Sequence, residues 1–305
     1  MLTAQDRKLL QQIADLKEDP PGAYNIRKDG QGILRRSLPG INVIPKKDKP
    51  GIDIIVEEGR SGTVHIPVIM TVTGQKDLVY NTIDIGPGAK IELIAGCGIH
   101  NPGHGEMRHD GIHEIFVRRG ARLRYSEKHY GAGEGRGKRI LNPKTILVIE
   151  EEGYAELELV QIRGVDDTIR ETEARVEAGG RLEIYERMLT DGEQSARSDM
   201  VVRLSGGDAS ARIISRSVGQ GNSKQVFQPR LVGCGKCRGH VECDSIIMDK
   251  AVIRSIPEIW AESSEAELVH EAAIGKIAGE QIIKLMTLGL TREEAEESII
   301  TGFLK

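Results

Sequence analysis

Turn glycines at near-regular intervals constrain this chain more than any other feature of its sequence. Five short segments look alike: IDIGPGAKIEL, IFVRRGARLRY, VIEEEGYAELEL, ARVEAGGRLEI and VRLSGGDASARI. Each has an apolar run, a charged or glycine turn, then alternating small and apolar positions. With Val56-Glu57-Glu58-Gly59 as a sixth, the turn glycines are Gly59, Gly88, Gly120, Gly153, Gly179 and Gly207, with gaps of 29, 32, 33, 26 and 28. A repeat of roughly 20–50 residues marks a solenoid, a propeller or an array. After Gly88 and Gly120 the inward positions are Ala89, Ile91, Leu93 and Ala121, Leu123, Tyr125; after Gly153 and Gly207 the phase slips by one residue. Propeller blades need four strands in about 40–45 residues and an aromatic motif, and neither is present. A β-helix suits the repeat better, with an antiparallel β-sandwich as the alternative.

Composition agrees with stacked β-structure. The 305 residues include 36 glycines but only three Phe, one Trp and six Tyr. Coils stacked around a narrow interior accept small and β-branched side chains more readily than rings. The glycines follow no three-residue period, which excludes collagen, and 39% hydrophobic residues argue against disorder. Lys plus Arg number 42 against 46 Asp plus Glu, a net charge of −4 that disfavours a dedicated nucleic-acid binder. The N-terminal stretch lacks a signal-peptide apolar core, and no run approaches about 18 apolar residues, so the expected setting is cytoplasmic, with no membrane partner.

The pattern divides the chain into three parts. In residues 1–49, Leu9, Leu10, Ile13 and Leu16 recur at helical spacing until Pro20-Pro21-Gly22, and an irregular segment follows. Residues 50–262 carry the β-helix core. Residues 263–305 form a helical segment: Glu265, Leu268, Val269, Ile274, Ile277, Ile282, Ile283, Leu285 and Met286 run to Gly289, and Thr291 with Glu294 makes a capping box for a last helix with Ala295, Ile299 and Phe303 on one face.

The densest chemical constellation is Cys234-Gly-Lys-Cys237-Arg-Gly-His240-Val-Glu242-Cys243-Asp244. Thiolates are the preferred ligands of zinc, copper(I) and iron–sulfur clusters, and a CxxC lets two of them grip one metal from a single turn. The spacing fits neither a C2H2 finger nor a pair of zinc-ribbon CxxC units, and Arg238 after the CxxC excludes c-type haem attachment. His270-Glu271 resembles the start of HExxH, but Ile274 occupies the second histidine position, so the metalloprotease reading fails. His270 and Glu271 gain interest if a helix returning to the last coils brings them near the thiols. His100, His104, His109 and His113 fall in a Gly-, Pro- and Asn-rich stretch read as a mobile loop, with His113 beginning the next strand. The loop from Gly131 to Lys138 departs from GxxxxGK[ST] at Ala132 and Arg139, and is read as a flexible cationic hairpin loop.

The segments Gly239-His240-Val241-Glu242-Cys243-Asp244, Ser255-Ile256-Pro257, Ala266 to Ala272, Ile274 to Ile277 and Gly302-Phe303-Leu304 together resemble the SufB/SufD family of iron–sulfur cluster assembly proteins, as a short archaeal-type member. The resemblance is most specific over residues 230–305 and runs more weakly from about residue 50. It implies a right-handed parallel β-helix and a non-enzymatic scaffold that carries a transient iron–sulfur cluster. The implied partners are a SufC-type ABC ATPase docked through the C-terminal helices, a cysteine desulfurase or other sulfur donor, and either a second copy or a SufB/SufD paralogue. Carried over by position, Cys243 matches the SufB-type cysteine, Glu271 the SufB-type glutamate and His270 the SufD-type histidine. The chain thus resembles both half-sites at once, which implies a homodimer in place of the SufB–SufD pair. Cys234 and Cys237 are additional to the family pattern; with His240 and Glu242 they form a candidate metal set. Ile282, Leu285, Met286, Ile299 and Phe303 are the candidate partner-binding residues. A flavin association known in bacterial members finds no matching residues. Competing functions are a structural zinc protein built on Cys234, Cys237, His240 and Cys243, and a β-helix carbohydrate-active enzyme, which the single Trp disfavours.

Overall fold

The computed structural model describes residues 2–18 and 20–305. Two ten-stranded sheets face each other, and the chain alternates between them coil by coil. The first sheet runs β2 (Gln31–Arg36), β1 (Ala23–Lys28), β5 (Ser61–Met70), β7 (Lys90–His100), β9 (Arg122–Ala132), β11 (Tyr154–Arg163), β13 (Arg181–Thr190), β15 (Ala209–Gly219), β17 (Cys237–Ile247) and β20 (Ala266–Gly275). The second runs β18 (Val252–Ser255), β16 (Lys224–Gly233), β14 (Ser195–Leu204), β12 (Asp167–Val176), β10 (Arg139–Ile149), β8 (Met107–Val117), β6 (Lys76–Ile85), β4 (Gly51–Val56) and β3 (Ile41–Pro45), while β19 (Glu258–Ala261) also pairs with β16. From β5 onward the ladders of the first sheet are parallel, as in a β-helix. The β-sandwich alternative is therefore set aside, because antiparallel pairing occurs only between β1 and β2 and between β3 and β4 among the named strands.

The turn ladder accounts for the slipped phase in the sequence. Backbone bonds stack Gly59, Gly88, Gly120, Glu152, Gly179 and Asp208 in one column, each donating to the residue before its successor. All six have positive φ, between 56° and 66°. The left-handed residue is thus Glu152 rather than Gly153, and Asp208 rather than Gly207. Beneath the column, Ala89, Leu93, Leu123, Tyr125, Ala155, Leu157, Ile184 and Ile213 are all buried, in keeping with alternate residues facing the interior.

Two expectations need correction. The segment before residue 50 is not irregular: it holds β1, β2 and β3 as well as the helix α1 (Ala4–Ala14). Residues 266–275 form strand β20 rather than helix, because a further coil on β17 continues the hydrogen-bonded ladder in unbroken register. Helix begins only at α2 (Gly279–Thr287), followed by α3 (Arg292–Phe303).

The helix ends follow local chemistry. Thr3 and Asp6 form a reciprocal capping box at α1, and Asp15 in the left-handed region ends it before the prolines. Leu9, Leu10 and Ile13 seat α1 on the outer face of β7, where a Cβ at Gly96 would lie 2.4 Å from the Ile13 carbonyl oxygen. The capping box on Thr291 is present in α3: its hydroxyl accepts from Glu294 N at 3.2 Å, and the Glu294 carboxylate accepts from Thr291 N at 2.8 Å. Arg187 and Arg216 on the solenoid donate to the carbonyls of Lys305 and Phe303 at the end of α3. No helix among the described residues is long and apolar enough to cross a membrane.

Candidate functional site

β17 and β20 lie side by side at the last coil of the first sheet, and no strand follows β20 among the described residues. Their register pairs Cys237 with Ala266, Val241 with His270, Glu242 with Glu271, and Cys243 with Ala272. Alternation then divides the candidates. Cys237, Val241 and Cys243 are buried and face inward, and His270, opposite Val241, shares that side. From Cys243 to His270 is two residues along (about 6.6 Å) and one strand across (about 4.8 Å), so the two backbones stand roughly 8 Å apart. His240, Glu242 and Glu271 belong to the other side, where His240 Nε2 stands 3.9 Å from Glu271, too far for a hydrogen bond. Neighbours in sequence on a strand must face opposite ways, so β20 cannot present His270 and Glu271 on one face.

The cysteine pair is likewise split. Cys237 opens β17 pointing inward, whereas Cys234 lies outside, accepting a hydrogen bond from Arg203 Nη1 at 3.0 Å. Burial raises the Cys234 thiol, with Glu262 adding to the shift and Arg203 opposing it. The two sulfurs therefore do not grip one metal from a single turn. No group of three or more His, Cys, Asp or Glu among the described residues is placed to hold a metal ion.

Cys243 is a protonated thiol in the isolated chain. Burial pushes it up to about 11, against a neighbouring Ser255 that favours the thiolate, and the charges of Glu186, Asp244 and Glu242 act in the same direction as burial. Burial lowers His270, so the imidazole is neutral and a competent ligand. Its Nε2 is buried without a hydrogen-bond partner among the described residues, as is Nε2 of His240.

The interior holds a second polar cluster. Cys97 on β7 stands opposite His129 on β9. His109, on β8, joins them from the other sheet. The charged forms of His109 and His129 overcome burial and bring the Cys97 thiol down to about 7. Cys97 and Asp77 in turn outweigh burial and raise His109 to about 10. His109 and His113 are thus buried strand residues and not part of a mobile loop; His113 is lowered to about 4 by burial. The adjacent inward row, followed through the register, reads Ala95, Glu127, Leu159, Glu186, Ser215 and Cys243. Arg170 reaches across from β12 between Glu127 and Glu186, while Ser198 and Ser215 donate to Glu186. In the sequence this network is hidden, because each member alone resembles a stray polar residue. Adding one coil length to Cys97 leads to His129, which is the signal that could have found the pair.

The partner-facing candidates differ in exposure. Ile282 is buried, Leu285, Ile299 and Phe303 are half-buried, and Met286 is exposed, together with Ile283 and Leu288. Phe303 lies against the Arg216 guanidinium, 6.0 Å from the ring centroid. On α3 the buried residues are Ala295 and Ile300, the latter one position from Ile299.

The fold is a parallel β-helix whose first sheet ends in the strand β20, which carries His270 next to the Cys243-bearing β17 and gives a candidate site at one terminus. Comparison of the chain with protein families gives a match over residues 69–303 to the core domain of SufBD proteins of the SUF system for FeS cluster assembly. The chain belongs to that family, whose work is iron–sulfur cluster assembly. It is 32% identical over 281 residues to an iron–sulfur cluster assembly SufBD family protein of Archaeoglobus fulgidus, covering 91% of this chain and 69% of that one. A Methanothermobacter thermautotrophicus protein of the same description is 27% identical over 229 residues, covering 74% of this chain and 54% of its own length. One from Pyrococcus horikoshii is 24% identical over 287 residues, covering 88% and 82%.

Proposed function

We propose that this chain is an assembly scaffold of the SUF system, on which an iron–sulfur cluster is built as cargo at the open end formed by β17 and β20. The observation that carries the reading is the position of His270, a neutral imidazole whose Nε2 has no partner among the described residues, on the edge strand one strand across and two residues along from Cys243. Cys243 and His270 serve the cluster from the inward side. Glu271 lies on the outer side of the same edge, where a second strand has to dock. One chain offers too few donors to hold a cluster, in keeping with a site completed across an interface between two copies or with a SufB/SufD paralogue. An open edge strand is a template for such pairing.

A shell of thiolate, imidazole and carboxylate is more labile than four cysteines, which suits a scaffold that must release its cargo. The Cys243 thiol must lose its proton to bind iron or to accept sulfur, and an arriving cation supplies the favourable charge that burial withholds. Cys234, Cys237, His240 and Glu242 have lesser roles in this reading, since they point in different directions. The helices α2 and α3 are the docking element for a SufC-type ABC ATPase, and a cysteine desulfurase or other donor supplies sulfur.

Anaerobic reconstitution with iron and sulfide tests the site. Cys243→Ser is expected to lose the cluster absorbance. Cys97→Ser is expected to keep it, because five strand spacings, about 24 Å, separate β7 from β17. Equal cluster content in the two variants overturns the assignment, as does purification with stoichiometric colourless zinc in place of iron. For the docking element, co-purification with the ATPase is expected to fail when the chain is truncated after Gly289.

A further inference from the structure

The end of the solenoid remote from β20 is closed by two antiparallel pairings, β1 with β2 in one sheet and β3 with β4 in the other. Between them opens a cavity of about 190 Å3. Its basic residues come from both sheets: Arg27 and Arg35 from β1 and β2, and Lys46 and Lys49 from the loop between β3 and β4. Asn25 and Asn81 add polar walls, and among the described residues no carboxylate lines the cavity. The register opens the space, since Arg27 stands opposite Gly32, which has no side chain to fill it.

Two of the four cations are neutralised from behind. Asp77 accepts from Arg27 at 2.6 and 2.8 Å, and Asp53 accepts from Lys46. The other two have no counter-charge among the described residues. Arg35 donates its Nε to the Asn25 amide oxygen at 3.1 Å, leaving the outer edge of its guanidinium unused, and the Lys49 ammonium lies 4.5 Å from the centroid of the Tyr80 ring. Neither has an ion-pair partner among the described residues, although the chain as a whole carries a net charge of −4. Both side chains line the cavity and are also exposed to solvent.

We propose that this cavity binds a small oxyanion of the phosphate class, with the Arg35 fork taking two oxygens and Lys49 acting as a point charge. A planar guanidinium edge matches an oxyanion in pairs of hydrogen bonds, and an ammonium adds charge without that directionality. The phosphate is either free or the terminal group of a small ester, since the cavity opens to solvent and leaves room for a substituent. The site is independent of the cluster-assembly reading, as it lies at the opposite end of the solenoid.

Calorimetric titration of the full chain tests it, with inorganic phosphate in one arm and glycerol 3-phosphate in the other, at constant ionic strength. Saturable one-to-one binding is expected, weakened at least tenfold in the double variant R35Q/K49Q and unchanged in K90Q/K250Q, which removes two exposed lysines elsewhere. Tighter binding of the ester identifies an ester as the ligand, and equal or tighter binding of phosphate identifies the free anion. Because Arg35 also orders Asn25, G32V gives a second test: its side chain enters the space beside the Arg35 guanidinium, 3.4 Å from the glycine's Cβ position, and must also weaken binding. Non-saturable heats, or equal affinity in the wild type and R35Q/K49Q, overturn the proposal.

Discussion

Inside the coil stack, Arg170 Nη1 donates to Glu127 Oε1 at 2.8 Å, and each side chain is only 2% exposed. This pair joins the two sheets through the core, and Glu186 lies on the far side of the guanidinium at 3.7 Å. Burial raises the Glu186 carboxyl, with Arg170 offsetting part of the shift. Arg170 holds Glu127 well below the ordinary carboxylate range against the opposing effect of burial.

Arg170→Met removes the cation and leaves two carboxylates buried. Breaking a buried pair by deleting one partner costs about 3–5 kcal/mol, so chemical denaturation should show a loss of that order. Adding Glu127→Gln to Arg170→Met should recover part of it. A loss below about 1 kcal/mol in the single variant contradicts the role given to Arg170.

Asp77 predicts an acid limb in stability. Burial opposes its ionisation, but the Arg27 hydrogen bonds and His109 hold its pKa far below the unfolded value of about 3.9. The depressed folded value means that the stabilisation is fully present above about pH 4–5 and is lost as pH falls toward the folded pKa. Asp77→Asn should therefore be less stable than the wild type at pH 7, and the gap should narrow on acidification. Melting curves collected between pH 7 and pH 2 read this directly; a constant gap refutes the assignment.

For Cys243, the thiol pushed up to about 11 predicts almost no thiolate at neutral pH. In a variant whose other three cysteines are alanine, ultraviolet thiolate absorbance should rise with a midpoint near pH 11. An ordinary midpoint near 8.5 would mean that Cys243 is not sequestered in the isolated chain. Iron(II) should move the midpoint down, because metal binding displaces the proton.

Gly96→Ala places a methyl group against the backbone of α1, 2.4 Å from the Ile13 oxygen. Overpacking of this kind typically costs about 1–3 kcal/mol. The expected signature is local: amide exchange speeds up in residues 4–14 while the interior strands keep their protection. Unchanged exchange in α1 would show that the helix docks elsewhere.

Some of this could be read from the sequence and some could not. The glycine-punctuated repeat led to stacked parallel coils, and the Thr291 and Glu294 pair marked the start of the last helix. The segment from Glu265 to Met286 misled because its apolar residues suit a helical spacing in part, while the ladder on β17 holds Ala266–Gly275 extended. Grouping Cys243, His270 and Glu271 came from the family resemblance; the structure adds that His270 and Glu271, neighbours on strand β20, face opposite sides of it.

By itself the sequence determined the coil architecture and which residues alternate inward, because turn chemistry and side-chain parity are local properties of the backbone. Tertiary structure alone decided which inward residues meet. Coils of unequal length place Cys97 opposite His129 and extend the row from Glu127 to Cys243. It also decided that His270 lies on an edge. Those relationships depend on the accumulated register of the stacked coils and on where the last ladder ends, neither of which any one segment encodes.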